Sequence, residues 1–277
     1  MPAIRPKSRL INRLWHHPVM RMPKRIGRRL INSVVDTAAT LESPYHGVYD
    51  SYEDALQDIP EEHRRCYDDP AAAALYQGYM SKARPSDYPV LFWLRQIAAE
   101  GMSIFDLGGH VGTAYYLFQR FFHYPDGLKW TVCDLPEICR AGSAIASKRH
   151  PEHLSFTTEP SAADGSDILL ASGSLQFMRT PIGSILSDLK RKPRHILINR
   201  TPLCEGTSFF SIQDLGTVVS PYHVFNRREF IGSILEQGYE LMDSWGISEP
   251  HSGTLLIPFH PERSLHSYTG LYFRQLQ

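Results

Sequence analysis

The stretch Ser103-Ile104-Phe105-Asp106-Leu107-Gly108-Gly109-His110-Val111-Gly112-Thr113 constrains this chain most: an apolar run ends on an acid, passes a glycine-rich turn and opens a helix. A strand, a glycine turn and a helix N-terminus in that order are where doubly wound α/β proteins hold an adenosine cofactor, because glycines let the ligand approach the backbone. Spacing then separates the cofactors. A dinucleotide fingerprint, G-x-G-x-x-G, needs a glycine two positions after the first to give the pyrophosphate room, and here that position is His110. NAD is therefore disfavoured, and the bland alternative is an ordinary buried strand and turn.

Downstream the pattern alternates regularly. Strands are expected over 103–107, 129–133, 154–158, 167–171 and 195–199, with helices over 112–122, 136–150 and 181–190 and a long loop after the fifth strand. A helix over 225–237 follows, then strands over 239–245, 254–259 and 268–274 joined without helices. Strands alternating with helices imply parallel pairing through right-handed crossovers. Upstream, 51–57, 70–81 and 88–100 read as helices between Pro-rich turns. The expected organisation is a basic amphipathic extension over 1–40, a helical region over 41–100 packing on the core, and the ligand-binding domain over 101–277.

Ligands of open α/β sheets collect at the carboxyl ends of the strands, so the residues just after each strand are the informative ones. Asp106 and the turn through Gly108, Gly109, His110 and Gly112 follow the first strand. Asp134 and Leu135 follow the second; a carboxylate there can accept hydrogen bonds from both hydroxyls of a ribose, or can cap the next helix. Ser172 and Gly173 follow the fourth, ahead of Leu175 and Phe177, which can wall an adenine or an amino-acid tail. The fifth strand ends at Asn199-Arg200-Thr201-Pro202 and the loop after it carries Glu205, Asp214, Tyr222 and His223; loops of this length are often substrate-facing lids. His223 is the first candidate for a general base, because an imidazole titrates near neutrality; Asp214 and Glu205 come next. No set of carboxylates and histidines shows metal-ligand spacing, so no metal is expected.

The turn is similar to motif I of the class I S-adenosylmethionine (SAM) methyltransferases, D/E-x-G-x-G-x-G, through Asp106, Gly108 and Gly112, with His110 departing from it. SAM has no phosphate and carries an ammonium group, so an acid at the strand end suits it. Together with Tyr115-Tyr116, Cys133-Asp134-Leu135-Pro136, Ser172-Gly173-Ser174-Leu175-Gln176 and Asn199-Arg200-Thr201-Pro202, the turn resembles a family of bacterial SAM-dependent methyltransferases associated with surface-polysaccharide gene clusters. The resemblance covers roughly residues 45–277. It implies an α/β fold of the class I methyltransferase type: a Rossmann-like sheet, mostly parallel with C-terminal antiparallel strands, plus a helical N-terminal extension. It further implies SAM as cofactor and a small-molecule or glycan acceptor, such as a sugar of a polysaccharide precursor methylated on oxygen.

Charge supplies the remaining constraints. The chain has 29 Lys and Arg against 29 Asp and Glu, yet residues 1–35 hold nine bases and no acid. Within them Leu10, Ile11, Leu14 and Trp15, then Ile26, Leu30, Ile31, Val34 and Val35, recur at helical spacing, a pattern compatible with peripheral contact at an anionic membrane, with a targeting peptide, with a helix packed on the domain or with a partly disordered arm. The acidic body argues against a nucleic-acid partner. Cys66, Cys133, Cys139 and Cys204 include no C-x-x-C pair, and neither a signal peptide nor an apolar run of the roughly 20 residues that span a bilayer is evident. A reducing, cytoplasmic setting is expected, with peripheral membrane contact as an option. Two rival functions share much of this pattern: an NAD-dependent oxidoreductase acting on a nucleotide sugar, and a non-catalytic membrane-associated scaffold with a vestigial pocket.

Overall fold

Strands that are apolar at every position need cover on both faces, and the central strands here have it. The computed structural model describes residues 43–61, 67–75, 77–249 and 254–276; the expected basic extension lies outside them. In chain order the elements are β1 (Tyr45–Tyr49), α1 (Tyr52–Asp58), α2 (Ala72–Leu75), α3 (Asp87–Ile97), β2 (Ser103–Leu107), α4 (Thr113–Phe118), β3 (Lys129–Cys133), α5 (Pro136–Arg149), β4 (Leu154–Thr157), β5 (Ile168–Ser172), α6 (Ile182–Asp188), β6 (His195–Thr201), β7 (Leu203–Cys204), β8 (Phe209–Asp214), β9 (Val219–Asn226), α7 (Arg227–Leu235), β10 (Tyr239–Ile247) and β11 (Tyr268–Gln275).

Seven strands form the main sheet in the order β10-β11-β6-β5-β2-β3-β4. The pairs from β4 through β6 are parallel, whereas β11 runs antiparallel to both β6 and β10. The mostly parallel sheet with antiparallel strands contributed by the C-terminal part is thus the expected one. Alternate residues of its strands feed two cores. Ile104, Leu170 and Leu197 pack with Val90, Leu94, Tyr115 and Leu117 on one face, while Phe105, Leu169, Ile196 and Ile198 pack with Ile185, Leu186, Phe230 and Ile234 on the other. This period of two is the pleat expressed in side chains. It places α3 and α4 on one face, α6 and α7 on the other.

The segment expected to be a long loop after β6 is instead a second sheet, in the order β1-β8-β9-β7. Its ladders pair Tyr45 with Gln213 and Phe210 with His223. Polar residues and Pro221 hide the alternation of these strands, and the partner β1 is remote in sequence, so no local signal announces them. The same ladder makes a strand of part of the region expected to be helical, and β9 delays the start of α7 to Arg227. Over 254–259 the structure has no strand. Leu255 makes an isolated bridge to Leu265, and Leu255 and Ile257 are buried against the second sheet, so their alternation reflects burial, not a ladder; Pro258 has no N–H to give to one. Helix α4 is also shorter than expected, and the 70–81 helix is split into α2 and a 3₁₀ turn over Gln77–Met80.

Helix α3 is locked to the carboxyl end of β6 by a buried ion pair. Arg200 Nη1 lies 2.7 Å from Asp87 Oδ1 and 3.0 Å from Ser86 Oγ, and Nη2 donates to Ser172 Oγ at 2.7 Å. Burial alone raises the Asp87 pKa, but the charges of Arg200 and Arg84 outweigh it and hold the carboxyl below its usual range. Replacing one partner strands the other's charge in the core, so Asp87→Ala should lose about 3–5 kcal/mol in urea unfolding. The double replacement Asp87→Ala with Arg200→Met should recover most of that loss, and additive losses in the double-mutant cycle would show the pair to be uncoupled.

Candidate functional site

A Rossmann-type sheet opens where strand order reverses, and here that point is β2, whose successor β3 lies on one side while β5 lies on the other. At the carboxyl ends of these strands is a cavity of about 650 Å³. That is within the range of small-molecule sites.

The glycine turn forms one wall. Gly108 has φ +73° and its N–H donates to Cys133 O at 2.7 Å, tying the turn to β3; a Cβ on it would lie 2.2 Å from Ser174 Cβ. Gly109 is required for another reason: its Cβ would sit 2.4 Å from Asp106 Oδ2. The Asp106 carboxylate is therefore tucked under the turn, 1% exposed, and accepts a hydrogen bond from Trp130 Nε1 at 3.2 Å. Burial pushes it up to about 7 against the Trp130 bond, with the neighbouring Asp134 charge adding to the rise and Arg200 opposing it.

His110, the departure from the glycine pattern, has φ +56°. A left-handed turn explains why glycine suits this position, and why a histidine here must be held. Its backbone N–H donates to Asp134 Oδ2 at 2.8 Å and its Nε2 meets Ala72 O at 3.1 Å, which assigns the proton to Nε2 because a carbonyl can only accept. Burial lowers the pKa of the ring, so it is neutral near pH 7.

Asp134 also lines the cavity. Besides the His110 N–H, it accepts from Leu135 N at 2.8 Å, and burial takes it up to about 6 despite both bonds. The capping role that a sequence allows for Asp134 is filled by another residue: Asp68 Oδ1 accepts from Glu137 N at 2.8 Å in the first turn of α5. Ser172, Gly173 and Leu135 line the cavity with Asp106, Gly108, Gly109 and His110. Gly112 does not; its φ of +85° turns the chain into α4, with Leu154 and Tyr116 packed where a side chain would go.

The expected bases do not reach the cavity. On β9, Tyr222 faces it and His223, the next residue, faces the other way. The His223 ring stacks between Phe210 at 4.1 Å and Phe225 at 4.0 Å, and burial pushes its pKa down to about 4. Asp214 closes the turn after β8 by accepting from Gly216 N at 2.7 Å, and neither it nor Glu205 is among the lining residues. Sequence reasoning names Arg200 at the end of the fifth strand and Tyr222 on the loop beyond it without assigning either a role, and it missed the rest of the opposite wall: Arg84 and Asp87, and the side chains of Tyr45, Gln213 and Tyr268. Among the described residues no group of three or more His, Cys, Asp or Glu side chains is arranged to hold a metal ion.

Among the buried polar atoms of the cavity residues, Gln176 Oε1 and Thr113 Oγ1 have no protein partner. Such atoms lose hydrogen bonds to water on folding, and a ligand with polar groups would restore them. With two carboxylates at adjacent strand ends and an apolar lining from Leu135, Ile138 and Phe177, the residues fit a ligand that joins a nucleoside to a cationic tail.

No family model matches the sequence, and neither does any curated protein. Solved structures do match. The methyltransferase complex with the Trm112 methyltransferase activator of Haloferax volcanii is similar at a TM-score of 0.53 and 15% identity, over 77% of this chain and 96% of that one. Magnesium protoporphyrin IX methyltransferase from Synechocystis, with bound S-adenosylhomocysteine, is similar at a TM-score of 0.50 and 11% identity, over 76% of this chain and 97% of that one. These likenesses show the class I methyltransferase fold.

Ionisation of Asp106 opposes folding. Its folded pKa, about 7, exceeds the unfolded value of about 4, so the stability it contributes is complete below about pH 4 and is lost as pH rises through 7. Asp106→Asn, which stays neutral, should accordingly be more stable than the parent at pH 8 by about 2–4 kcal/mol, with the gap closing at pH 4. Thermal melts at the two pH values measure this, and identical melting at pH 8 would remove the burden assigned to the carboxylate.

Proposed function

We propose that this chain is a SAM-dependent methyltransferase that methylates an oxygen of a small acceptor. The observation that carries the reading is the pair of carboxylates at the ends of β2 and β3, bracketing a left-handed glycine turn whose His110 N–H donates to Asp134, both lining the cavity. The fold shared with solved methyltransferases supports it.

SAM, when bound, supplies a methyl group on a sulfonium, which needs alignment with the acceptor and exclusion of water. In this chain Asp134 would hold the ribose hydroxyls, because each carboxylate oxygen keeps acceptor capacity beyond the bond it already makes. Asp106 would balance the cationic tail from beneath the turn, and Gln176 Oε1 and Thr113 Oγ1 would gain donors. Leu135 and Ile138 would cover the apolar face of the base. His110, the only lining histidine among the described residues, is anchored to Ala72 O through Nε2 and is neutral near pH 7.

The site is poor ground for NAD, since the position that must admit a pyrophosphate carries the His110 side chain. A sugar of a polysaccharide precursor as acceptor follows from the family resemblance alone. Among the described residues no helix is long and apolar enough to cross a membrane. Contact between residues 1–35 and an anionic surface stays a sequence-based proposal: full-length protein should float with anionic liposomes and a chain starting at Asp36 should not, and equal flotation would dismiss it.

Calorimetry should detect S-adenosylhomocysteine and SAM and no NAD. Asp134→Ala should weaken either ligand by at least about tenfold, the order of a lost charge-assisted hydrogen bond. Because Asp106 must be ionised to balance a cation and Asp134 to accept from both ribose hydroxyls, SAM affinity should fall as pH drops from 8 to 5, through the values of about 7 for Asp106 and about 6 for Asp134. A folded sample that binds neither SAM nor its product would refute the reading.

A further inference from the structure

Methyl transfer requires acceptor and cofactor to share one cavity, so the wall facing the glycine turn selects the acceptor. That wall is aromatic. Tyr67 meets Phe177 edge-to-face at 4.7 Å, Phe177 meets Tyr222 at 5.1 Å, and Tyr222 meets Tyr45 at 4.9 Å, all four lining the cavity.

The polar atoms of this wall are directed at one another. Tyr222 donates to Tyr268 at 2.9 Å, Tyr268 to Tyr45 at 3.2 Å, Gln213 Nε2 to Tyr45 at 2.9 Å, and Tyr67 to Gln213 Oε1 at 3.2 Å. A sugar would bring several hydroxyls that need new partners, and this network has committed most of its donors internally. A flat ring brings π faces and edges, which aromatic neighbours receive without hydrogen bonds.

We infer that the acceptor is a planar hydroxylated aromatic, a phenol in the broad sense, seated against Phe177 and Tyr222. The inference rests on the methyl-transfer reading above and names its substrate class. Transfer forms an oxygen–carbon bond on the acceptor, returns the electron pair of the broken sulfur–carbon bond to sulfur, and releases the hydroxyl proton. A phenol ionises near a pKa of about 10, like tyrosine, and so asks little of a base. That agrees with a cavity from which His223 is turned away.

The test uses the full chain and the fluorescent phenol 7-hydroxycoumarin, titrated with and without saturating S-adenosylhomocysteine. Saturable binding is expected, undisturbed by a large excess of methyl α-D-glucopyranoside. Phe177→Ala should weaken it by roughly tenfold, a larger loss than the same change causes in the affinity for S-adenosylhomocysteine. Tyr222→Phe, which keeps the ring, should preserve coumarin binding and guards against misreading a folding defect. No saturation by a protein with a native circular dichroism spectrum, displacement by the glucoside, or indifference to Phe177→Ala would overturn the inference. Should the coumarin bind and S-adenosylhomocysteine fail to, the methyl-transfer reading falls and the aromatic site stands. Should S-adenosylhomocysteine bind and the coumarin fail to, the aromatic site falls and methyl transfer stands.

Discussion

A buried carboxylate beneath a glycine turn is the constraint from which the rest of the site follows. Asp106 has lost its water and kept one protein donor, Trp130, so its ionisation is costly in the empty protein. It fits under the turn only because Gly109 lacks a Cβ. The same turn lends the His110 N–H to Asp134, so the ends of β2 and β3 are positioned by a single piece of backbone. Two carboxylates held together against their mutual repulsion make a site that a cation relieves. Stability given up at such a place is a common mark of ligand binding.

The opposite side of the cavity depends on a different arrangement, in which charge is already matched. Arg200, itself at φ +56°, gathers Ser86, Asp87 and Ser172 around one guanidinium. Asn199, one residue earlier, donates to Ser86 O and Ser172 Oγ and accepts from Trp245 Nε1. Consecutive residues at the end of β6 thereby fasten α3, β5 and β10 together. With its cation and its amide both satisfied, this wall serves as scaffold.

Legibility followed the range of the interactions. The β2 stretch was readable because its apolar run, acid and glycines are contiguous and a parallel strand buried on both faces looks the same in any such sheet. His223 misled because a histidine in an apparent loop is indistinguishable from one on a strand; only the pairing of Phe210 with His223 reveals which way its ring points. Asp134 reads equally as a cap for α5, a role that Asp68, far away in sequence, takes instead. Tyr45, Gln213 and Tyr268 carried no signal at all, and Tyr222 none beyond its place on the loop, since they meet through separate elements of the chain.

By itself the sequence determined the parallel strands of the main sheet and the glycine turn between β2 and α4, because periodicity and glycine sterics act between near neighbours and leave their mark in the order of residues. Tertiary structure alone decided which wall is charged, which is aromatic and which histidine faces the cavity. Those properties depend on strand register and on long-range pairing, and shifting a strand by one residue exchanges its two faces without altering its composition.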